Sequence, residues 1–222
     1  ARKEGRLSGK KMAVLLLSVL MVLILRNFVA ILLVPALFTW YLSNRKKKNG
    51  VLTFSVLYAL FIILFFNIRH LIPKLDFPQA VVEKQHAFIK IKHGKTRVAI
   101  KALEPTASSF LENTPQAIKL TLFRPNLKDI HHLLSLVSVI ETYLLYLLFL
   151  LFLWKRNPLQ SDQQLFYFCL FFAFSVLLAI GFSNNNVGAI VRYRSVVIPF
   201  LIIPLAVRIN WSGIATALRI NK

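Results

Sequence analysis

Apolar residues gather into six runs, at positions 12–25, 28–42, 51–66, 133–154, 165–183 and 196–207, and the polar residues fall between them. A helix that crosses a bilayer needs about 20 apolar residues, with a usual range of about 17 to 25. Runs 133–154 and 165–183 meet that length outright. The first two are short and nearly contiguous: 12–42 is too long for one untilted span and too short for two comfortable ones. Their flanks decide the reading. Arg2, Lys3, Arg6, Lys10 and Lys11 precede the pair and Arg45, Lys46, Lys47 and Lys48 follow it, and basic flanks belong in the cytoplasm. The pattern predicts a short helical hairpin over 12–42, with Arg26 and Asn27 at its outer tip and Pro35 bending the second arm. Lys10, Lys11 and Arg26 would snorkel to lengthen the arms. The basic-then-apolar opening resembles the first two regions of a signal peptide, but no small-residue cleavage site follows, so it reads as a membrane anchor.

The other crossings follow in order. Run 51–66 goes out, 67–131 lies outside, 133–154 returns, and Lys155, Arg156 and Pro158 make an inner turn. Run 165–183 goes out again, "NNNVGAIVRYRS" lies at the outer surface, and 196–207 returns to a cytoplasmic tail. The outer segment holds 11 basic and 5 acidic side chains, which a loop of that length tolerates because it is translocated regardless of charge. Within it "HAFIKIKHGKTRVAIKAL" alternates Ile89 and Ile91 with Lys90 and Lys92, turns at His93 and Gly94, and alternates again through Val98 and Ile100. That predicts a β-hairpin with one basic face, to which Lys95, Arg97 and Lys101 belong. Thr106 and Thr114 stand at N-cap positions, the second before Pro115, and predict two short helices over 107–112 and 115–123 closed by Arg124 and Pro125. The expected fold is an all-α polytopic membrane protein of about six apolar helices with a small extracytoplasmic α+β insertion. Its three regions are 1–66, 67–131 and 132–222. The expected location is the bacterial inner membrane, multi-pass, with both termini cytoplasmic.

Composition supports the membrane reading and adds a charge. Of 222 residues 57% are hydrophobic, 19 are Phe, and the mean hydropathy is +0.63, above the apolar content of soluble domains. Lys plus Arg number 28 against 8 Asp plus Glu, a net charge of +20, which calls for an anionic partner. The basic residues flank apolar runs and form no single soluble face, so anionic phospholipid or a phosphorylated ligand is favoured and nucleic acid is not. The single Cys169 lies inside an apolar run, which rules out an intrachain disulfide and a Cys metal site. No G-x-G-x-x-G, Walker A, H-E-x-x-H or G-x-S-x-G pattern is present.

Chemistry concentrates in "NNNVGAIVRYRSVVIPF", residues 184–200. Arg192 and Arg194 flank Tyr193, and a guanidinium is a planar fork matched to phosphate oxygens. Asn184, Asn185 and Asn186 add neutral donors and acceptors, and Gly188 lets backbone approach. The ligand this suits is a diphosphate at the outer bilayer surface; interfacial anchoring to lipid phosphates, with Tyr193 in the aromatic belt, is the plainer reading. Glu141 lies inside run 133–154, where a carboxylate is costly unless paired or protonated. It is a candidate general base for a sugar hydroxyl, or the ion-pair partner of Arg26, Arg192 or Arg194, and pairing is preferred. Arg69 and His70 at the outer end of the third run are candidate substrate contacts. Asp76 is a candidate outer-face acid, or a turn former before Pro78. His131 and His132 diverge on a helix and have no further ligand at zinc spacing, so no metal site is expected.

The stretch "VRYRSVVIPFLIIPLA" resembles the terminal helices of bacterial inner-membrane glycan-assembly proteins, the multi-spanning glycosyltransferases and polysaccharide polymerases that use polyprenyl-linked sugars. Many of these carry an Arg-Tyr pair followed by a Pro-rich apolar helix. "SFLENTPQAIKLTLFRP", ahead of the Glu141 helix, resembles one of their outer loops leading back into the bilayer. The resemblance covers the C-terminal half of the chain and implies a lipid-linked saccharide as substrate, with Arg192 and Arg194 facing its diphosphate. It implies no particular cofactor. Val196 stands where such proteins often have proline, and the acidic outer-loop motif of the metal-dependent transferases would have to stand upstream of Ala1. The rival class is a noncatalytic membrane subunit or scaffold, its basic residues on anionic phospholipid and its outer segment docking a membrane protein partner. A transporter is disfavoured, since Glu141 and Arg26 alone are candidate mid-membrane charges.

Overall fold

In the computed structural model, which describes positions 26–46, 50–91, 96–131, 133–157 and 163–219 together with 14, 17, 20, 21, 23 and 24, the apolar runs become helices and so do most segments between them. The helices are α1 (Asn27–Lys46), α2 (Gly50–Leu71), α3 (Phe77–Lys90), α4 (Ala107–Leu122), α5 (Leu133–Trp154), α6 (Gln163–Ser183), α7 (Val187–Arg194), α8 (Ile198–Arg208) and α9 (Trp211–Arg219). Four of them, α1, α2, α5 and α6, are long and apolar enough to cross a membrane, and α7 with α8 passes the same test as a pair bent by 56°. The chain is a membrane protein that has, among the described residues, four candidate spans, or five if the bent pair is one span; the expected count of six apolar helices is not supported. The first arm of the hairpin expected over 12–42 lies outside the described residues, apart from the six scattered positions.

The expected α+β insertion is helical instead. Ile89 and Lys90 continue α3, and among the described residues the only pairing in the hairpin region is an isolated bridge between Arg97 and Asn186; Lys92 and Lys95 lie outside the described residues. The reason is a start signal stronger than four alternating residues. Asp76 Oδ1 accepts from the Gln79 amide at 3.0 Å and Pro78 occupies the first turn, so the helix is nucleated where a turn was expected. Its inward positions follow helical spacing: Val82 is buried beside Leu103 and Phe110, and Gln85, 1% exposed, sits one turn on. The Gln85 amide donates to the Phe182 carbonyl at 2.9 Å and its Oε1 accepts from the Leu103 amide at 2.9 Å. One side chain thereby ties α3, the extended residues after Arg97 and the end of α6.

The two short helices expected at 107–112 and 115–123 are one, α4. Thr106 caps it, accepting from the Ser109 amide at 3.3 Å, while Thr114 is no cap and donates to the Phe110 carbonyl at 2.8 Å. Pro115 removes the bond to the Leu111 carbonyl, and Leu111 is on the exposed side, where that loss costs least.

α6 is the hub, packed by α1, α2, α3, α4, α7 and α8. It is apolar all round, as suits a helix with one side in the core and the other toward lipid, and Phe172, Ala173, Val176 and Ile180 on it are almost fully buried while Leu165 and Phe174 are exposed. A close backbone approach is at Gly181, where a Cβ would stand 2.5 Å from the Ala117 carbonyl oxygen and 2.7 Å from its Cα. Small residues at such a contact let two helix backbones meet. Outward, α2 and α5 leave most of their Leu, Ile, Val and Phe side chains exposed, the belt a bilayer would cover.

The ends of the helices sort into two groups. At the tail end, Ser43 donates to Gln164 at 2.9 Å, the Asn157 amide to the Arg208 carbonyl at 2.7 Å, and the Asn210 amide to the Lys155 carbonyl at 2.8 Å. Arg208 lies over the Phe166 ring at 3.7 Å. At the insertion end, the Val98 amide donates to Asn185 and the Val187 amide to Thr96.

Candidate functional site

α4 lies against α6 from Phe110, whose ring meets Phe182 at 5.0 Å, to a C-terminus level with the middle of α5, where the Tyr146 hydroxyl donates to the Leu122 carbonyl at 2.7 Å. A helix leaves its last carbonyls without helical partners and its C-terminus negative. Arg194 answers both. It is the last residue of α7, about 10 Å along the axis from Val187 at 1.5 Å per residue, and it is 1% exposed. Its Nη1 donates to the Thr121 carbonyl at 3.2 Å and the Arg124 carbonyl at 2.9 Å, and its Nη2 to Thr142 Oγ1 at 2.9 Å. The Thr142 hydroxyl hands its own proton to the Ser138 carbonyl at 2.9 Å, which leaves its lone pairs to the guanidinium.

Glu141 completes the centre from α5. Its Oε1 lies 3.7 Å from Arg194 Nη2, beyond a hydrogen bond, with the carboxylate side chain 37% exposed against 2% for the arginine. That oxygen is itself buried and has no hydrogen-bond partner, as is Arg194 Nε. The chain breaks after α7, beside this site. At Arg194 the chain stops running as one helix, the Val197 amide turning back to the Arg194 carbonyl at 2.9 Å, and Pro199 opens α8. Irregular backbone at membrane depth persists only where protein buries it or it lines a cavity.

On the neighbouring face of α7 a second feature forms. Tyr193 stacks under Arg26 at 5.1 Å and meets Phe28 edge-on at 5.9 Å, and the Lys84 ammonium sits 4.7 Å over the Phe28 ring. Tyr193, Phe28 and Lys84, with Ser183 and Asn184, line a cavity of about 60 Å³ at the insertion end, and Arg26 stands beside it on the Tyr193 ring. Lys84 as a residue is exposed, but the shielding of its ammonium against the ring lowers its pKa from the usual lysine value. Asn184 is 2% exposed; its amide nitrogen donates to the Ile180 carbonyl and Ser183 Oγ, while its Oδ1 has no partner.

The other expected residues are dispersed. Arg192 is exposed. Asn186 caps α7, its Oδ1 accepting from the Gly188 and Ala189 amides at 2.9 and 3.3 Å and from Thr96. Asn185 is buried. Arg69 and Asp76 pair with each other at 3.7 Å, and His70 is exposed beside them. Arg124 pairs with Asp129 at 3.6 Å. Lys101 and Glu112 pair at 2.6 Å; the bond raises the lysine pKa and lowers that of the glutamate. Four of the six described acids therefore neutralise four named bases, and Arg26, Lys84 and Arg192 have no carboxylate within 4 Å among the described residues. Sequence reasoning passed over Lys84, Phe28, Thr121 and Thr142. Only Thr142 carried a signal, a hydroxyl next to Glu141 and four residues after Ser138 in an apolar helix. Compared with known families, curated proteins and solved structures, the chain has no match.

Proposed function

We propose that this is a bacterial inner-membrane protein of cell-surface glycan assembly, handling a polyprenyl-diphosphate-linked saccharide at the outer face by glycosyl transfer or polymerisation. The observation that carries the reading is Glu141, a part-exposed carboxylate near the middle of an apolar helix, beside a buried cation held by broken backbone. A lipid-anchored substrate reaches such a group from the bilayer, and a carboxylate there can accept the proton of an attacking sugar hydroxyl. The scaffold reading rests on the same pair, with Glu141 doing no more than neutralising Arg194.

Glu141→Gln separates the two. The short bonds of Arg194 go to neutral oxygens, and Glu141 Oε1 at 3.7 Å makes no hydrogen bond to it, so the variant should accumulate as wild type does. Surface glycan made in cells that depend on the protein should fall about 100-fold or more, the usual contribution of a general base. Normal output from a normally accumulating variant would leave the scaffold reading.

The proposed orientation puts the insertion end outside, because Arg45, Lys46, Lys155, Arg156 and Arg208 belong to the tail end and basic flanks stay in the cytoplasm. In a Cys169→Ala background, Lys74→Cys should react with an impermeant thiol reagent on intact cells and Ser212→Cys should not. The opposite pattern would invert the topology.

A further inference from the structure

The cavity between α1, α3, α6 and α7 lies beside the Glu141–Arg194 centre along α7 and takes no part in it. Two of its features point to a ligand. Asn184 is almost wholly buried, yet its Oδ1 meets no donor, because both donor bonds of its amide nitrogen fix the orientation of the group. A buried acceptor left unpaired costs about 1–3 kcal/mol, which a ligand hydroxyl would recover. Beside it, Lys84 and Arg26 each face an aromatic ring and have no acid in range, so their charge is available to an anion. The space, about 60 Å³, compares with about 10–15 Å³ needed per water. It accommodates a handful of non-hydrogen atoms: a phosphate and one hydroxyl, not a whole sugar.

We propose that this cavity binds a phosphate ester with a hydroxyl close to the phosphate, the phosphate against Lys84 and Arg26 and the hydroxyl donating to Asn184 Oδ1. The rings of Phe28 and Tyr193 take the C–H faces of the ester, and the rest of the molecule extends out of the cavity. Two sources present this chemistry at a membrane surface: a lipid-linked sugar phosphate, which deepens the proposed function and rests on it, and the glycerophosphate head of phosphatidylglycerol, which does not.

Native mass spectrometry of the full chain, released from detergent and titrated with each lipid, tests the site. A polyprenyl diphosphate sugar should bind at least tenfold more tightly than the free polyprenol. Lys84→Gln with Arg26→Gln should remove that difference, and Lys84→Arg alone should keep it. Thermal unfolding in detergent serves as the control, because Lys84 is exposed and Arg26 only part-buried, and both variants should unfold as wild type does. Undiminished discrimination in the double Gln variant overturns the site while leaving the Glu141 test untouched. A parallel arm compares phosphatidylglycerol with phosphatidylcholine. If the same two residues carry tenfold selection for phosphatidylglycerol and none for the polyprenyl lipid, the phosphate site stands and the glycan reading loses its support here.

Discussion

Replacing Arg194 with Met should cost about 3–5 kcal/mol of stability, the usual penalty for removing one partner from a buried charged network. Methionine fills the space of the stem but returns nothing to the buried Thr121 carbonyl, worth about 1–3 kcal/mol when orphaned, or to the part-buried Arg124 carbonyl. Thr142 keeps its bond to Ser138 and loses less. Arg194→Lys should fall between, since an ammonium on a single stem cannot fork to two carbonyls and a hydroxyl at once. Equilibrium unfolding in mixed micelles reads all three proteins. The informative comparison is with Glu141. If the α4 C-terminus is what holds the guanidinium, a double-mutant cycle of Arg194→Met with Glu141→Gln should return a coupling no larger than about 1 kcal/mol, the range of a partly exposed ion pair. A coupling of about 3 kcal/mol or more would make the carboxylate the principal partner and the carbonyls secondary.

Gly181→Leu should be about as damaging, by a different route. Its Cβ would stand 2.5 Å from the Ala117 carbonyl oxygen and 2.7 Å from the Ala117 Cα, and backbone cannot rotate aside as a side-chain end can. Overpacking of this kind costs about 1–3 kcal/mol for small additions, so Gly181→Ala belongs near the low end and Leu at or above the high one. α4 must move away from α6, and the carbonyls at its C-terminus move with it. The penalties of Gly181→Leu and Arg194→Met should therefore fail to add, because the first already spoils what the second removes. Gly188 is the control. A Cβ there meets nothing closer than Asn186 Oδ1 at 3.4 Å, so Gly188→Ala should leave the unfolding midpoint within about 0.5 kcal/mol of wild type, the range of a surface substitution. Equal losses at the two glycines would contradict the packing of α4 on α6.

The straight spans were legible in the order of residues, and the broken one was not. Runs 133–154 and 165–183 match α5 and α6 almost residue for residue, because a helix facing lipid has to be apolar over its whole length and no neighbour can supply that property for it. Run 196–207 could not be read in the same way. α8 is 11 residues long and is long enough to cross only together with α7, whose two arginines and preceding asparagines look like surface. Sequence placed Arg194 at the water interface because a charge in lipid has no local remedy. Its remedy is 52 to 73 residues away, in the Thr142 hydroxyl and the Arg124 and Thr121 carbonyls. Backbone oxygens carry no residue identity, so no spacing along the chain announces them. The insertion shows the same division. Asp76 followed by Pro78 is a local helix signal, present in the sequence and outweighed there by four alternating residues, whereas the burial of Gln85 against Phe182 and Leu103 depends on three segments meeting. What the sequence determined alone is the membrane, through apolar length, and the excess of cations, through composition. Which cations are neutralised inside the fold, and which are left without a carboxylate, depended on how the C-terminus of α4 meets α5 and α7, contacts between segments distant in the sequence.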